Sequence, residues 1–474
     1  MSMQKIIAVA FILLAGCALV GPDYRAPMPE ELGVPTTWHT PTATALSGAD
    51  LSAWWTRLND PVLASLIAHA LTDSPNVRSA QARLREARAR RNLASANRFP
   101  TVTAGVLATR VTTSERAGRG TTQSLYDASF DASWEPDVFG GTRRALEAAT
   151  ADLAASQADF RATQVSLAAE VALNYVEVRS FQARVAIAAA NLASQEETLQ
   201  LTQWRAQAGL TSVLDVEQAT TTVEQTRAQI PTLEISLAEA ENRLAILLGH
   251  APGALADLLV TPRGVPRISG DIAIGIPADT LRQRPDLRAA ERRLAAETAR
   301  IGQQTALRYP SFALSGSLGV EALTFGALTA SGAAFSQLVA SVAATVFDAG
   351  HIRQQIEIQG ALQEQALRSY ESAVLTALEE VENALVSLAR TRQRSLALDK
   401  AVRSARNAAE LARHRYAAGI TDFQTVLDTQ RTVLNAEDSL ESTAAEHISS
   451  VIQLYKALGG GWTTTADAPQ ADAR

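Results

Sequence analysis

The chain has 474 residues, 47% of them hydrophobic and 19% charged, with a formal net charge of −6. This composition builds a sizeable packed core and excludes a disordered chain, and the acidic balance without any basic block excludes a general nucleic-acid binder. A single cysteine rules out internal disulfides and cysteine-rich metal sites.

That cysteine is Cys17, and it follows Lys5, the apolar run Ile6 to Leu14, and the small residues Ala15 and Gly16. A basic start, a short apolar stretch and small residues make a secretory signal, and the run falls short of the roughly 20 residues that span a bilayer as a helix. One reading is an ordinary signal that ends beside a cysteine. The sharper reading is that Leu14-Ala15-Gly16-Cys17 resembles the bacterial lipobox. That implies a signal peptide over 1–16 and acylation of Cys17, and Ala18, in place of Asp, fits sorting to the outer membrane. The Pro-rich "PDYRAPMPEELGVP" that follows is expected to be an extended, lipid-anchored strap within 17–60.

From Pro61 the chain is built twice. "SPNVRSAQARL" begins at Ser74 and "RPDLRAAERRL" at Arg284, a shift of 284 less 74, or 210 residues. The same shift carries Arg98 onto Arg308, Phe160 onto Tyr370, Gly209 onto Gly419 and Gly249 onto Gly459. Agreement at one offset so often marks a duplication. The repeats are expected over 61–265 and 266–462, with a flexible tail at 463–474.

Each copy opens with helix, about Pro61 to Asn97 and Pro285 to Leu307, and stops at an Arg-aromatic-Pro sequence, where proline ends a helix. Periodicity then changes to two. Phe130, Ala132 and Trp134 alternate with Asp131 and Ser133, and Phe312, Leu314, Gly316, Leu318 and Val320 alternate with mostly small polar residues. "LVASVAATVF" closes the second set, so about two strands are expected per copy, with the "SERAGRGTTQS" loop between the first pair.

From Thr142 to Ala208 neither glycine nor proline occurs, which allows a helix of about 100 Å. In the second copy Val374, Leu378, Val381, Leu385 and Leu388 follow the spacing of a coiled-coil seam. The equivalents Gln164, Ala168, Val171, Tyr175 and Val178 form a seam of smaller residues. Gly209 and Gly419 are the expected helix breaks, each followed by a second long helix, with Pro231 expected to kink the first of these.

With no apolar run of 18 or more residues, a bilayer crossing requires a closed β-barrel. Four strands are too few, because barrels begin at about eight. Two chains would supply eight strands and three would supply twelve, and pattern alone does not choose between them. It also leaves open a secreted coiled-coil protein with β-hairpins resting on its helices.

Four long stretches carry a family resemblance: "LSAWWTRLNDPVLASLI", "IPADTLRQRPDLRAAERRLAAETARIG", "RYPSFALSGSLG" and "RYAAGITDFQTVLDTQRTVLNAEDSL". The chain resembles the TolC superfamily, and within it the OprM- and NodT-like outer-membrane efflux lipoproteins, from Cys17 to about Trp462. The resemblance implies an α+β membrane protein: a homotrimer sharing a twelve-stranded barrel, four strands per chain, with a long periplasmic barrel of coiled-coil helices. It implies a passive exit duct of a tripartite efflux system, partnered by a periplasmic adaptor and an inner-membrane pump of the resistance-nodulation-division class. The other reading is a lipid-anchored periplasmic adaptor or scaffold, from which the paired strand segments in both copies distinguish a duct.

The resemblance also implies a periplasmic gate. The aspartate expected at the constriction is Asp428, in "TVLDTQR", where three carboxylates around an axis would repel one another and attract cations. Thr425 stands where some relatives carry a second acidic residue, and Gln424 where others carry a bulky apolar one. Family links between helices imply roles for Tyr416, Thr421 and Asp215. Because Thr421 replaces a charged residue, no salt bridge is expected there, and two readings of Tyr416 stay open: a hydrogen-bonding latch, or a packed aromatic at the helix end.

No catalytic constellation is legible. The six histidines are dispersed, "GRGTTQ" lacks the last glycine of a dinucleotide loop, and none of Lys5, Lys400 and Lys456 follows a glycine. Neither an enzyme nor a cofactor is expected.

Overall fold

The structure, a computed structural model, describes residues 19–40, 51–116, 120–268 and 277–462. Cys17, the leader before it and the tail at 463–474 lie outside the described residues. After a 3-10 turn at Trp54–Leu58 come α1 (Pro61–Asp73), α2 (Pro75–Ala96), β1 (Thr101–Thr112), β2 (Thr122–Trp134), α3 (Gly141–Gln207) and α4 (Val213–Leu247). The single turn α5 (Ala256–Leu259) leads to α6 (Pro277–Gln283), α7 (Pro285–Ala306), β3 (Ser311–Ala322), β4 (Ala334–Ala343), α8 (His351–Ala417) and α9 (Phe423–Ala457).

The duplication reaches the element boundaries. Starts at Pro75, Thr101, Gly141 and Val213 recur 210 residues later at Pro285, Ser311, His351 and Phe423. The opening helix expected over Pro61 to Asn97 is two helices, because the residue before Pro75 is pushed out of helical geometry, whereas α7 fills the span expected from Pro285 and the short α6 precedes it. Asp60 caps α1 by accepting from the amides of Val62 (2.9 Å) and Leu63 (3.2 Å). α4 continues as helix through Pro231.

Two compact units cut across the two copies. One takes Met1–Pro27, Arg83–Gln157 and Arg288–Ser372; the other takes Met28–Ala82, Ala158–Leu287 and Ala373–Arg474. Each thus draws matching pieces from both copies.

The first unit holds one antiparallel sheet in the order β1-β2-β3-β4. Its register sorts the side chains by chemistry. Ala104 pairs with Phe130, Phe130 with Leu318, and Gly316 with Leu338, so one face is apolar across all four strands. The opposite face carries Asp127 against Glu321 and Asp131 against Ser317. Ser317 of β3 donates to Asp131 of β2 at 2.5 Å, tying the polar face across the strands, and Ser129 donates to the same carboxylate along β2 at 3.3 Å. Among the described residues nothing covers the apolar face: Val106 is 85% and Leu338 77% exposed. With edges β1 and β4 also unpaired in the sheet order, this is a barrel fragment with one face for lipid and one for water.

The second unit contains the main core. Trp54 stacks on Tyr455 (5.3 Å between centroids, 12° between planes), and Leu63, Ile67, Val171, Val178, Leu244, Val451 and Ile452 pack into the same cluster. Tyr175 donates to Asp60 at 2.7 Å; burial, and then that carboxylate, push its phenol up to about 12, so it stays a neutral donor. The seam of smaller residues in α3 is the more deeply buried one: Ala168, Val171, Tyr175 and Val178 are inaccessible. In α8, Val374, Val381 and Leu385 are buried while Leu378 and Leu388 are half-buried. Small side chains let α3 sit inside a cluster fed by α1, α4, α5 and α9. Among the described residues, no helix is long and apolar enough to cross a membrane.

Candidate functional site at the helix tips and the N-terminal strap

Both helix hairpins turn in the same way. Gly209 (φ +71°) and Gly419 (φ +74°) take the left-handed conformation open to glycine. The amides of Gly209 and Leu210 bond back to Ala206 (3.0 Å) and Arg205 (2.8 Å), and those of Gly419 and Ile420 to Tyr416 (2.9 Å) and Arg415 (2.8 Å). Each pair is a Schellman motif that satisfies the last carbonyls of the helix.

The return helices are capped with the two partners exchanged. Ser212 caps α4, accepting from the Asp215 amide at 3.2 Å, and Asp215 accepts from the Ser212 amide at 3.1 Å, a complete capping box. At α9 the cap is Asp422, which accepts from the amide of Thr425 at 3.0 Å and from its hydroxyl. Thr211 also donates to Asp215. That hydroxyl, helped by Ser212, holds the Asp215 carboxyl below the usual range, although burial and Asp422 oppose the shift. The Thr425 hydroxyl and amide hold Asp422 down similarly.

The expected gate residues share one exposed stripe of α9. Gln424 donates to Asp428 at 3.0 Å, Thr421 to Thr425 at 3.4 Å, and Thr432 to the Asp428 carbonyl at 2.7 Å. The opposite side of the turn, Phe423, Val426 and Leu427, is buried with Ala219, Ala412 and Tyr416. Apolar anchoring on one side thus fixes the direction in which Gln424, Thr425 and Asp428 face.

The three expected link residues are not joined to one another by any bond among the described residues. Tyr416 is only 2% exposed and packs on Phe423 (5.3 Å), and its hydroxyl has no hydrogen-bond partner among the described residues. The link it makes runs through its backbone. Arg205 donates to the carbonyls of Tyr416 (2.7 Å) and Ala417 (3.2 Å) and lies 4.6 Å from the centre of the Tyr416 ring. Arg205 escaped the sequence reading, although the shift of 210 places Arg415 at the matching position of the second copy.

The strap is likewise fastened by groups without a sequence motif. Arg144, 2% exposed, donates to the carbonyls of Val20 (3.1 Å) and Gly21 (3.3 Å) and to Asp23 and Glu147 (2.8 Å each). Gly21 (φ +88°) lies so close to Gly302 of α7 that a Cβ on it would come within 2.3 Å of the Gly302 Cα. Tyr24 donates to Glu291 at 3.1 Å; burial, and then the carboxylate, raise its pKa.

A half-open sheet with a lipid-type face, joined to duplicated helix hairpins, defines a chain that forms a channel with copies of itself. The model of the family described as "Outer membrane efflux protein" matches residues 66–250 and 276–460, two spans offset by the same 210 residues. The chain belongs to the outer membrane efflux protein family. It is 33% identical over 465 residues to the pyoverdine export outer membrane protein OpmQ of Pseudomonas putida, covering 94% of this chain and 95% of that protein. It is 31% identical to nodulation protein T of Rhizobium leguminosarum bv. trifolii, over 96% of this chain and 97% of that one. The solved outer-membrane channel OprN superposes with a TM-score of 0.88 at 38% identity, covering 94% of this chain and all of OprN. The fold is that of a trimeric TolC-like channel, and the protein is an outer-membrane efflux channel.

Proposed function

We propose that three copies form the passive exit duct of a tripartite efflux system, with a collar at its periplasmic end made by the Asp428 carboxylates flanked by Thr425 and Gln424. The observation that carries this reading is the sheet's register, which needs neighbours on both edges before its apolar face can meet lipid. The shared stripe of Gln424, Thr425 and Asp428, backed by buried Phe423 and Val426, supports the collar. Tyr416, Thr421 and Asp215 act around it in holding the tips shut, Tyr416 through its backbone, with Gly209 and Gly419 as the turns. The duct takes its cargo from a periplasmic adaptor and an inner-membrane pump of the resistance-nodulation-division class. The names of its relatives, pyoverdine export and toluene efflux among them, favour small-molecule cargo.

Planar-bilayer conductance of the full-length trimer, wild type against Asp428→Ala, tests the collar. Loss of cation preference with a conductance raised several-fold is expected, because three repelling charges that order cations at the axis are gone. An unchanged conductance and selectivity would move the gate away from Asp428.

Cys17 serves as the acylated anchor. The clamp of Arg144, Gly21 and Gly302 supports this, since it fixes the chain within a few residues of Cys17 to the unit that carries the sheet. Radiolabelled palmitate should enter wild type and not Cys17→Ala, and label in both would overturn the assignment.

A further inference from the structure

Within one chain the first-copy hairpin is stitched to the second-copy hairpin by Arg205, whose guanidinium reaches the last carbonyls of α8. The duplication places an arginine at the same point of α8. Arg415 is exposed and, among the described residues, its guanidinium has no partner. Three chains with two hairpins each set six similar hairpins around one axis, and their contacts alternate between those inside a chain and those between chains. We propose that Arg415 makes the between-chain stitch, donating to the carbonyls of Ala206 and Gln207 at the end of α3 in the next copy of this chain. The inference rests on the trimeric duct proposed above.

Three observations carry it. The acceptor exists in both copies, because the Schellman turn at Gly209 repeats the one at Gly419 bond for bond. The Tyr416 carbonyl accepts from Gly419 and from Arg205 together. The Ala206 carbonyl accepts from Gly209 at 3.0 Å and keeps its second lone pair. Polarity also matches: the guanidinium meets a helix C-terminus, where the backbone dipoles leave partial negative charge. Finally, a bond to backbone asks nothing of the partner's side chains. The neighbouring within-chain contact between Arg413 and Glu197 (3.5 Å) falls, under the shift, on Gln203 and Asn407, so its charges have been lost. A stitch to carbonyls survives such divergence.

The two stitches differ in strength. Arg205 also lies over the Tyr416 ring, whereas the residue equivalent to Tyr416 in the first copy is Ala206. Without that cation–π contact the between-chain link is the weaker, so the tips part first between chains.

The test uses the full-length protein in detergent, with Arg415→Cys and Gln207→Cys combined and a short bis-maleimide as probe; single-cysteine variants report any reaction at Cys17. Covalent dimers and trimers on denaturing gels are expected for this pair and not for Glu410→Cys with Gln207→Cys. A trimer seen by native mass spectrometry but no cross-linking through position 415 would overturn the stitch and leave the duct standing. A monomer by native mass would overturn the duct, and the stitch with it. Arg415→Ala should raise the fraction of time spent conducting by at least about ten-fold, as the charge-assisted hydrogen bonds to Ala206 and Gln207 are lost at each interface, with Arg415→Lys intermediate. Unchanged gating in Arg415→Ala would show that position 415 does not hold the tips.

Discussion

The two hairpin tips share one backbone and have exchanged their side-chain roles. In both, a left-handed glycine ends the descending helix and a cap begins the return helix one short turn later. In the first copy Val213 and Leu214 are exposed and the carboxylate sits inside the capping box as Asp215. In the second, Phe423 is buried, Gln424 takes the position of Leu214, the carboxylate has moved to the cap as Asp422, and Asp428 stands where the first copy has Gln218. Backbone geometry was retained because unpaired helix ends are costly wherever they lie. Side chains diverged because one tip keeps its apolar residues outward and the other presents polar groups on a single stripe.

The largest effect that tests this comparison comes from the glycines. Gly209→Val and Gly419→Val should each cost about 1–2 kcal/mol in tip stability, from forcing a side chain into left-handed geometry. The cost is conformational: a Cβ at Gly209 meets nothing within 4 Å, and one at Gly419 meets only the end of Arg205 at 3.9 Å. Hydrogen exchange at the Leu210 and Ile420 amides reads both, and unequal costs would break the equivalence of the two backbones.

A smaller effect follows acid. Both Asp215 and Asp422 are held below the usual carboxylate range in the folded protein. Their contribution to capping is therefore full above the unfolded value near 4 and is lost as pH falls through the depressed folded values. Trp204, exposed beside the first turn, should show a flat emission profile from neutral pH to about 4 and change below it. Asp215→Asn should remove much of that acid step, and a profile that titrates near neutrality would contradict the assignment.

Much of this was legible in the sequence. The offset of 210 was visible in paired motifs, and the strands in alternation such as Phe130, Ala132 and Trp134. The helix breaks were visible as glycines. What escaped notice shares one physical cause. Arg205, Arg144 and the contact of Gly21 with Gly302 act on backbone atoms, and a carbonyl acceptor leaves no mark on the identity of the residue that offers it. The burial of the α3 seam was hidden for a related reason: Ala168 and Val171 read as weak knobs, yet small residues are what allow several helices to close around them.

The half-open sheet has a consequence for inheritance. A chain whose β1 and β4 edges are completed by its neighbours meets the bilayer as one third of a barrel, so its function follows the dose of its partners. If half the chains in a cell carried a defect that still allowed assembly, only about one trimer in eight would be wholly normal. An altered allele of this protein would then be dominant whenever a single faulty tip spoils the ring.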